Sequence, residues 1–113
     1  MQSISPETIF RGNYAWEESL PQITKLTKSP LILGRGNHTN DLRKKIFIDL
    51  KNQNLSVNSA NLQFDCCYED ISRIKDSIIK NHHDSVIAAG GGKVLDSGKY
   101  IADSLNIPCI TVP

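Results

Sequence analysis

The sequence has no long apolar run. The longest, Val86 to Ala89, falls far short of the ~20 residues a helix needs to cross a bilayer. Residues 1–20 hold no apolar stretch of the kind that forms the heart of a secretory signal, so a cytoplasmic protein is expected. Charge of one sign is also lacking. The net charge is +1, and the densest basic cluster, Arg43-Lys44-Lys45, has Asp41 and Asp49 close by. Neither nucleic acid nor a membrane is an expected partner. Cysteine is scarce: Cys66, Cys67 and Cys109 are odd in number, two are adjacent, and no CxxC spacing occurs. They read as buried free thiols rather than a disulfide frame or a metal site. Of the histidines, His38 lies in a loop-like segment, while His82 and His83 close a polar stretch that reads as a helix end. Neighbouring side chains there diverge, so the pair makes a poor metal clamp and reads as solvated surface. No set of Asp, Glu and His has convincing metal spacing.

What the sequence does have is alternation. Its 113 residues suffice for one domain. Thr8-Ile9-Phe10 is a plausible first strand. Ser19, three residues before Gln22, resembles a capping box, and Pro21 is acceptable in a first turn, so a helix is expected from there with Leu20, Ile23 and Leu26 facing inward; the alternative, that Trp16 belongs to an earlier turn of the same helix, is disfavoured by Pro21. Pro30–Leu33 is the second strand, closed by Gly34-Arg35-Gly36. Thr39 or Asn40 can cap a helix whose inner face is Leu42, Ile46, Phe47 and Leu50. A weak third strand is expected near Leu62–Phe64. Ile71, Ile74 and Ile78 mark the next helix. Ser85–Ala89, apolar without alternation, is a strand covered on both faces. A helix from about Lys93 to Leu105 and a strand at Pro108–Val112 complete the pattern. Such alternation predicts an α/β fold in three layers, a parallel sheet with helices on both faces.

Ligands of such sheets bind beyond the carboxyl ends of the strands. One such end is Gly90-Gly91-Gly92-Lys93, where an apolar strand runs into three glycines and then a helix. One glycine would serve a turn; three exceed that need and let a ligand approach the backbone, with the helix N–H groups aimed at it, which suits a phosphate. The loop is not a Walker loop, because Val94 stands where Ser or Thr is needed, nor a GxGxxG turn, because Leu95 stands where the last glycine belongs. On the helix that follows, Val94, Leu95, Gly98, Ile101, Ala102 and Leu105 share a face, with Gly98 placed to allow close helix-to-sheet packing. Lys93, Asp96, Tyr100 and Asp103 fall opposite. Asp96, read as a first-turn residue, could serve a ligand or simply suit the helix dipole.

The run Gly90-Gly91-Gly92-Lys93-Val94-Leu95-Asp96-Ser97-Gly98-Lys99, followed by Ile107-Pro108 and then Thr111-Val112-Pro113, closely resembles the glycerol dehydrogenase branch of the iron-containing alcohol dehydrogenase superfamily. The resemblance is specific over residues 85–113 and one of layout upstream. Dehydroquinate synthase shares the fold and the aspartate, but differs at Lys93 and at Lys99-Tyr100. The resemblance implies a Rossmann-like dinucleotide-binding domain over residues 1–113, the N-terminal part of a longer dehydrogenase. It implies that Gly90, Gly91, Gly92 and Lys93 hold the pyrophosphate of NAD or NADP. Asp96 would lie near the ribose and nicotinamide end, and the Gly34–Gly36 loop would meet the adenosine ribose. There Arg35 cannot accept a hydrogen bond from a 2′-hydroxyl but can pair a 2′-phosphate, which favours NADP.

The resemblance further implies a divalent metal, zinc or iron, and a small alcohol or polyol substrate, both held by a helical second domain beyond residue 113. The 113 residues alone are therefore expected to be inactive. Two rival readings are a non-catalytic module binding a nucleotide or a partner, and a relative of dehydroquinate synthase. A domain that has lost its neighbour exposes an apolar patch or a sheet edge, so self-association into dimers or larger species is expected.

Overall fold

A strand that is apolar at every position needs cover on both sides, and the chain folds to supply it. The computed structural model describes residues 7–9, 15–36, 40–63 and 68–112. Along them run β1 (Glu7–Ile9), α1 (Ala15–Leu26), β2 (Pro30–Arg35), α2 (Asn40–Asn52), β3 (Asn58–Leu62), α3 (Tyr68–Lys80), β4 (Ser85–Ala89), α4 (Gly92–Leu105) and β5 (Cys109–Val112). The strands form one five-stranded sheet in the order β1-β5-β4-β2-β3, with every neighbouring pair parallel. This is the expected α/β architecture. Period-two alternation divides the strands between two cores. Leu31, Leu33, Val86 and Ala88 pack with Ile74 and Ile78 of α3 and Val94 and Ile101 of α4. Ile32, Ile87, Ala89 and Ile110 face the other way, onto Trp16 and Ile23 of α1 and Ile46 and Leu50 of α2. No described helix is long and apolar enough to cross a membrane.

Helix α4 lies very close to the sheet, and Gly98 is the reason. A Cβ added there would sit 2.6 Å from Cβ of Ala88 and 3.6 Å from Sγ of Cys109, so the expected packing role is realised. Cys109 is buried and in no disulfide, as expected.

Three expectations need correction. Helix α1 begins at Ala15, not at Ser19, so Ser19 is an interior helical residue and Pro21 stands inside the helix. The cause is Trp16, which is buried and donates its indole N–H to Oδ2 of Asp49 at 2.8 Å. Burying a tryptophan contributes about 4–6 kcal/mol, more than the ~3 kcal/mol an internal proline costs. On the inner face of this helix Ile23 is buried, but Leu26 is exposed. Strand β3 is Asn58–Leu62, earlier than expected. It is an edge strand paired to β2 alone, from Leu31 opposite Asn58 to Arg35 opposite Leu62, and only Leu62 is buried. A strand with most side chains in water carries little apolar signal, and a polar edge resists unwanted pairing. His83 is buried, although its neighbour His82 is exposed at the left-handed end of the turn. Helix α2 begins at Asn40; Phe10, His38, Thr39, Phe64, Cys66, Cys67 and Pro113 lie outside the described residues.

His83 belongs to a polar lock at the amino ends of the strands. Its Nδ1 donates to the carbonyl of Ser29 at 3.0 Å, and its Nε2 accepts from Nδ2 of Asn58 at 3.2 Å. Asp84 accepts from Oγ1 of Thr27, from the Lys28 N–H at 2.9 Å and from the Ser29 N–H at 3.1 Å. Ser85 Oγ donates to Thr27 Oγ1 at 2.7 Å. These bonds pin the entry of β2 to that of β4 and, through Asn58, to β3. Burial pushes the Asp84 carboxyl up, but the hydrogen bonds from Thr27 and from the backbone outweigh it and hold the group below the usual carboxylate range.

Two outcomes follow. Gly98→Val should destabilise the fold by about 1–3 kcal/mol, because β4 and α4 cannot both yield; urea unfolding reads this, and an unchanged midpoint would show that α4 is free to move off the sheet. The depressed Asp84 carboxyl contributes stability that is full above the unfolded-state value of about 3.9 and is lost as pH falls through the folded value. Asp84→Asn should therefore lower the melting temperature at neutral pH and lose less stability than wild type between about pH 5 and pH 2. An equally steep acid loss in the variant would assign that loss to another carboxylate.

Candidate functional site

Strands β2 and β4 lie side by side, yet the chain leaves them in opposite directions. From β2 it passes through α2 on one face to the edge strand β3; from β4 it passes through α4 on the other face to β5. Where adjacent strands diverge in this way, their carboxyl ends leave a crevice between the two departing loops. Here the loops are Gly34–Gly36 and Gly90–Gly92, the two glycine turns singled out above. The crevice measures about 650 Å³ and is lined by Arg35, Gly36, Gly90, Gly91, Gly92, Lys93 and Val94. That volume lies within the range of small-molecule and cofactor sites.

Glycine is needed at two of these positions for conformational reasons. Gly36 has φ of 64° and Gly90 φ of 145°, both in the region that side-chain-bearing residues avoid. Gly91 and Gly92 serve another purpose. A Cβ at either meets nothing within 4 Å, so their bare backbone faces open space. Gly91 is the N-cap of α4, and no side chain caps the helix there. The N–H groups of a helix's first turn have no carbonyl partner within the helix, and this turn opens onto the crevice. The first turns of α1, α2 and α3 carry acids: Glu17 and Glu18, Asp41, and Glu69 and Asp70. The first turn of α4 carries none and has Lys93 instead, exposed. A cation at a helix N-terminus opposes the helix dipole, and an anion in the crevice would relieve both. Uncapped N–H groups, bare glycine backbone and Lys93 together fit a pyrophosphate.

Of the candidate residues, the fold brings Arg35, Gly90, Gly91, Gly92 and Lys93 to one crevice. Asp96 is placed differently. Helix α4 starts at Gly92, so Asp96 is not in its first turn and the dipole holds it less firmly than expected. It is exposed and lines a neighbouring groove of about 440 Å³ between α3 and α4, with Lys75, Ser97, Tyr68 and Tyr100 among the other lining residues. Among the described residues no three His, Cys, Asp or Glu side chains gather closely enough to hold a metal.

One residue near the crevice was missed. Arg43 reads as part of a surface basic run, but it is only 7% exposed and donates from Nη2 to the Gly36 carbonyl at 2.5 Å. The signal that could have found it is spacing: Arg43, Ile46 and Leu50 lie three and four residues apart, on the inner stripe of α2.

Comparison with known proteins bears on the family and the fold. The family model described as iron-containing alcohol dehydrogenase matches residues 6–113. Glycerol dehydrogenase 1 of Schizosaccharomyces pombe is 29% identical over 110 residues, spanning 96% of this chain and 24% of its own. A crystal structure of glycerol dehydrogenase from S. pombe superposes with a TM-score of 0.74 at 21% identity, covering 95% of this chain and 27% of its own. Maleylacetate reductase from a Rhizobium strain reaches a TM-score of 0.78 at 20% identity over 100% of this chain and 32% of its own. The chain thus spans about a quarter to a third of the length of these relatives and matches their N-terminal part. With a family model matching nearly its whole length, the chain belongs to the iron-containing alcohol dehydrogenase family.

Proposed function

We propose that the crevice between β2 and β4 binds a nicotinamide dinucleotide, and that these residues are the cofactor-binding part of an NAD(P)-dependent dehydrogenase of small alcohols or polyols. The observation that carries the reading is the uncapped N-terminus of α4, with Lys93 in place of an acid, opening onto a crevice at the divergence of two parallel strands. In this reading the backbone N–H groups of the Gly90–Gly92 turn and Lys93 hold the pyrophosphate. Arg35, at the end of β2, faces the adenosine ribose and favours a 2′-phosphate, hence NADP. Asp96 serves the ribose and nicotinamide end, where the first turns of α4 lead from the crevice toward the α3–α4 groove. The bound nicotinamide ring supplies the hydride acceptor or donor; the chain's part is to fix its place. A divalent metal, zinc or iron, would polarise the alcohol oxygen from residues outside these 113.

Titration calorimetry with NADP and NAD, on wild type and Gly91→Asp, tests the binding. The variant should fold normally, since Gly91 has φ of −82° and open space at its Cβ. Its carboxylate occupies the phosphate position, and binding should weaken about tenfold or more, equivalent to ~1.4 kcal/mol. Wild type should bind NADP at least as well as NAD. Heats unaffected by Gly91→Asp would put the site elsewhere, and a clear preference for NAD would remove the role of Arg35.

The 113 residues by themselves should show no dehydrogenase activity on glycerol or other diols, with or without zinc, iron or manganese, because hydride transfer needs a polarised substrate oxygen held against the cofactor. Absorbance of reduced nicotinamide across a broad pH range reads this. Turnover that disappears in Asp96→Asn would reveal a complete active site within the chain.

A further inference from the structure

Arg43 is an expensive residue to bury. Its guanidinium lies in the core side of the β2–α2 turn, and desolvation pushes its pKa down. Among the described residues no carboxylate pairs with it, and its Nε finds no hydrogen-bond partner. An aliphatic side chain would fill the same space without that penalty. The fold nevertheless makes room for it. A Cβ at Gly34 would collide with Cδ, Nε and Nη1 of Arg43, so Gly34 is glycine because the arginine lies across it.

Its other two nitrogens hold the carboxyl ends of two strands. Nη2 donates to the carbonyl of Gly36, in the turn after β2, at 2.5 Å; Nη1 donates to Oδ1 of Asn61, near the end of β3. Asn61 is itself held from α3, its carbonyl accepting from Nη2 of Arg73 at 2.7 Å. Gly36, in its positive-φ conformation, and Arg35 beside it line the crevice. The planar fork of an arginine fixes both strand ends in one geometry, which the single point of a lysine cannot do.

We propose that Arg43 is a positioning residue that sets which dinucleotide the crevice accepts. It locks the turn so that Arg35 is presented to the adenosine ribose, and it leaves an unneutralised positive charge directly behind that turn. Both effects favour a 2′-phosphorylated ribose over a 2′-hydroxyl. This rests on the cofactor reading above.

The test compares wild type, Arg43→Lys and the paired variant Arg43→Met with Gly34→Ala, whose added methyl refills vacated space. Calorimetry with NADP, NAD, adenosine 2′,5′-bisphosphate and ADP gives the ratio of affinities for 2′-phosphorylated and unphosphorylated ligands. Amide hydrogen exchange at Arg35 and Gly36 reads the turn without any ligand. The preference for the 2′-phosphorylated ligands should fall about tenfold in the Met variant, and by less in Arg43→Lys, which keeps the charge. Exchange at Arg35 and Gly36 should quicken in both. A merely structural role would lower all four affinities by one factor, leaving the ratio unchanged, and would overturn the proposal. So would unchanged exchange at the turn. Wild type that binds none of the four ligands overturns the cofactor reading itself, and with it this one; wild type that binds all four equally well overturns this one alone.

Discussion

Every residue of β4 is buried, and that requirement organises the molecule. A strand of Ser, Val, Ile and two Ala can be hidden only if β2 and β5 flank it and a helix layer covers each face. Val86 and Ala88 define one core with α3 and α4; Ile87 and Ala89 define the other with α1 and α2. The small alanines set how closely the layers approach. Opposite Ala88, Gly98 lets the α4 backbone settle onto the sheet. That contact sets how closely α4 lies against the sheet.

The two ends of the sheet are finished differently. At the amino ends, Thr27, Ser29, His83, Asp84 and Ser85 satisfy one another and tie β2 to β4. At the carboxyl ends the same two strands diverge, the turns need positive-φ glycines, and the α4 N-terminus has no side-chain cap. Polar groups that satisfy one another make a rigid base, while a helix N-terminus without a side-chain cap is the end at which the ligand is proposed to bind. A crevice between two strands clamped at their far ends can keep its width, which suits the extended phosphate ligand proposed for it.

Much of this was legible in the chain. The alternation of apolar runs and helical stripes is a local property, and among the described residues it placed every element but α1 and β3 in or close to its observed position. Gly98 could be assigned its packing role because it falls among Val94, Ile101 and Ala102 on one face of a single helix. The exceptions share a cause. The start of α1 depends on Trp16 reaching Asp49, thirty-three residues away. The position of β3 depends on pairing to β2, since Asn58, Ser59 and Asn61 carry no strand pattern of their own. His83 and Arg43 look like surface residues in sequence, and only partners from distant segments make their burial tolerable.

By itself, then, the sequence determined the class of fold and the two glycine turns proposed to meet a phosphate, because hydrophobic period and backbone freedom are written within a few neighbouring residues. It could not determine that the two turns belong to one site. Their union depends on strand order: β3 lies outside β2, so the chain returns across β2 to place β4 beside it. That choice comes from how side chains far apart in sequence share two cores. The same long-range packing turned Asp96 toward the α3–α4 groove and drew Arg43 beneath Gly36.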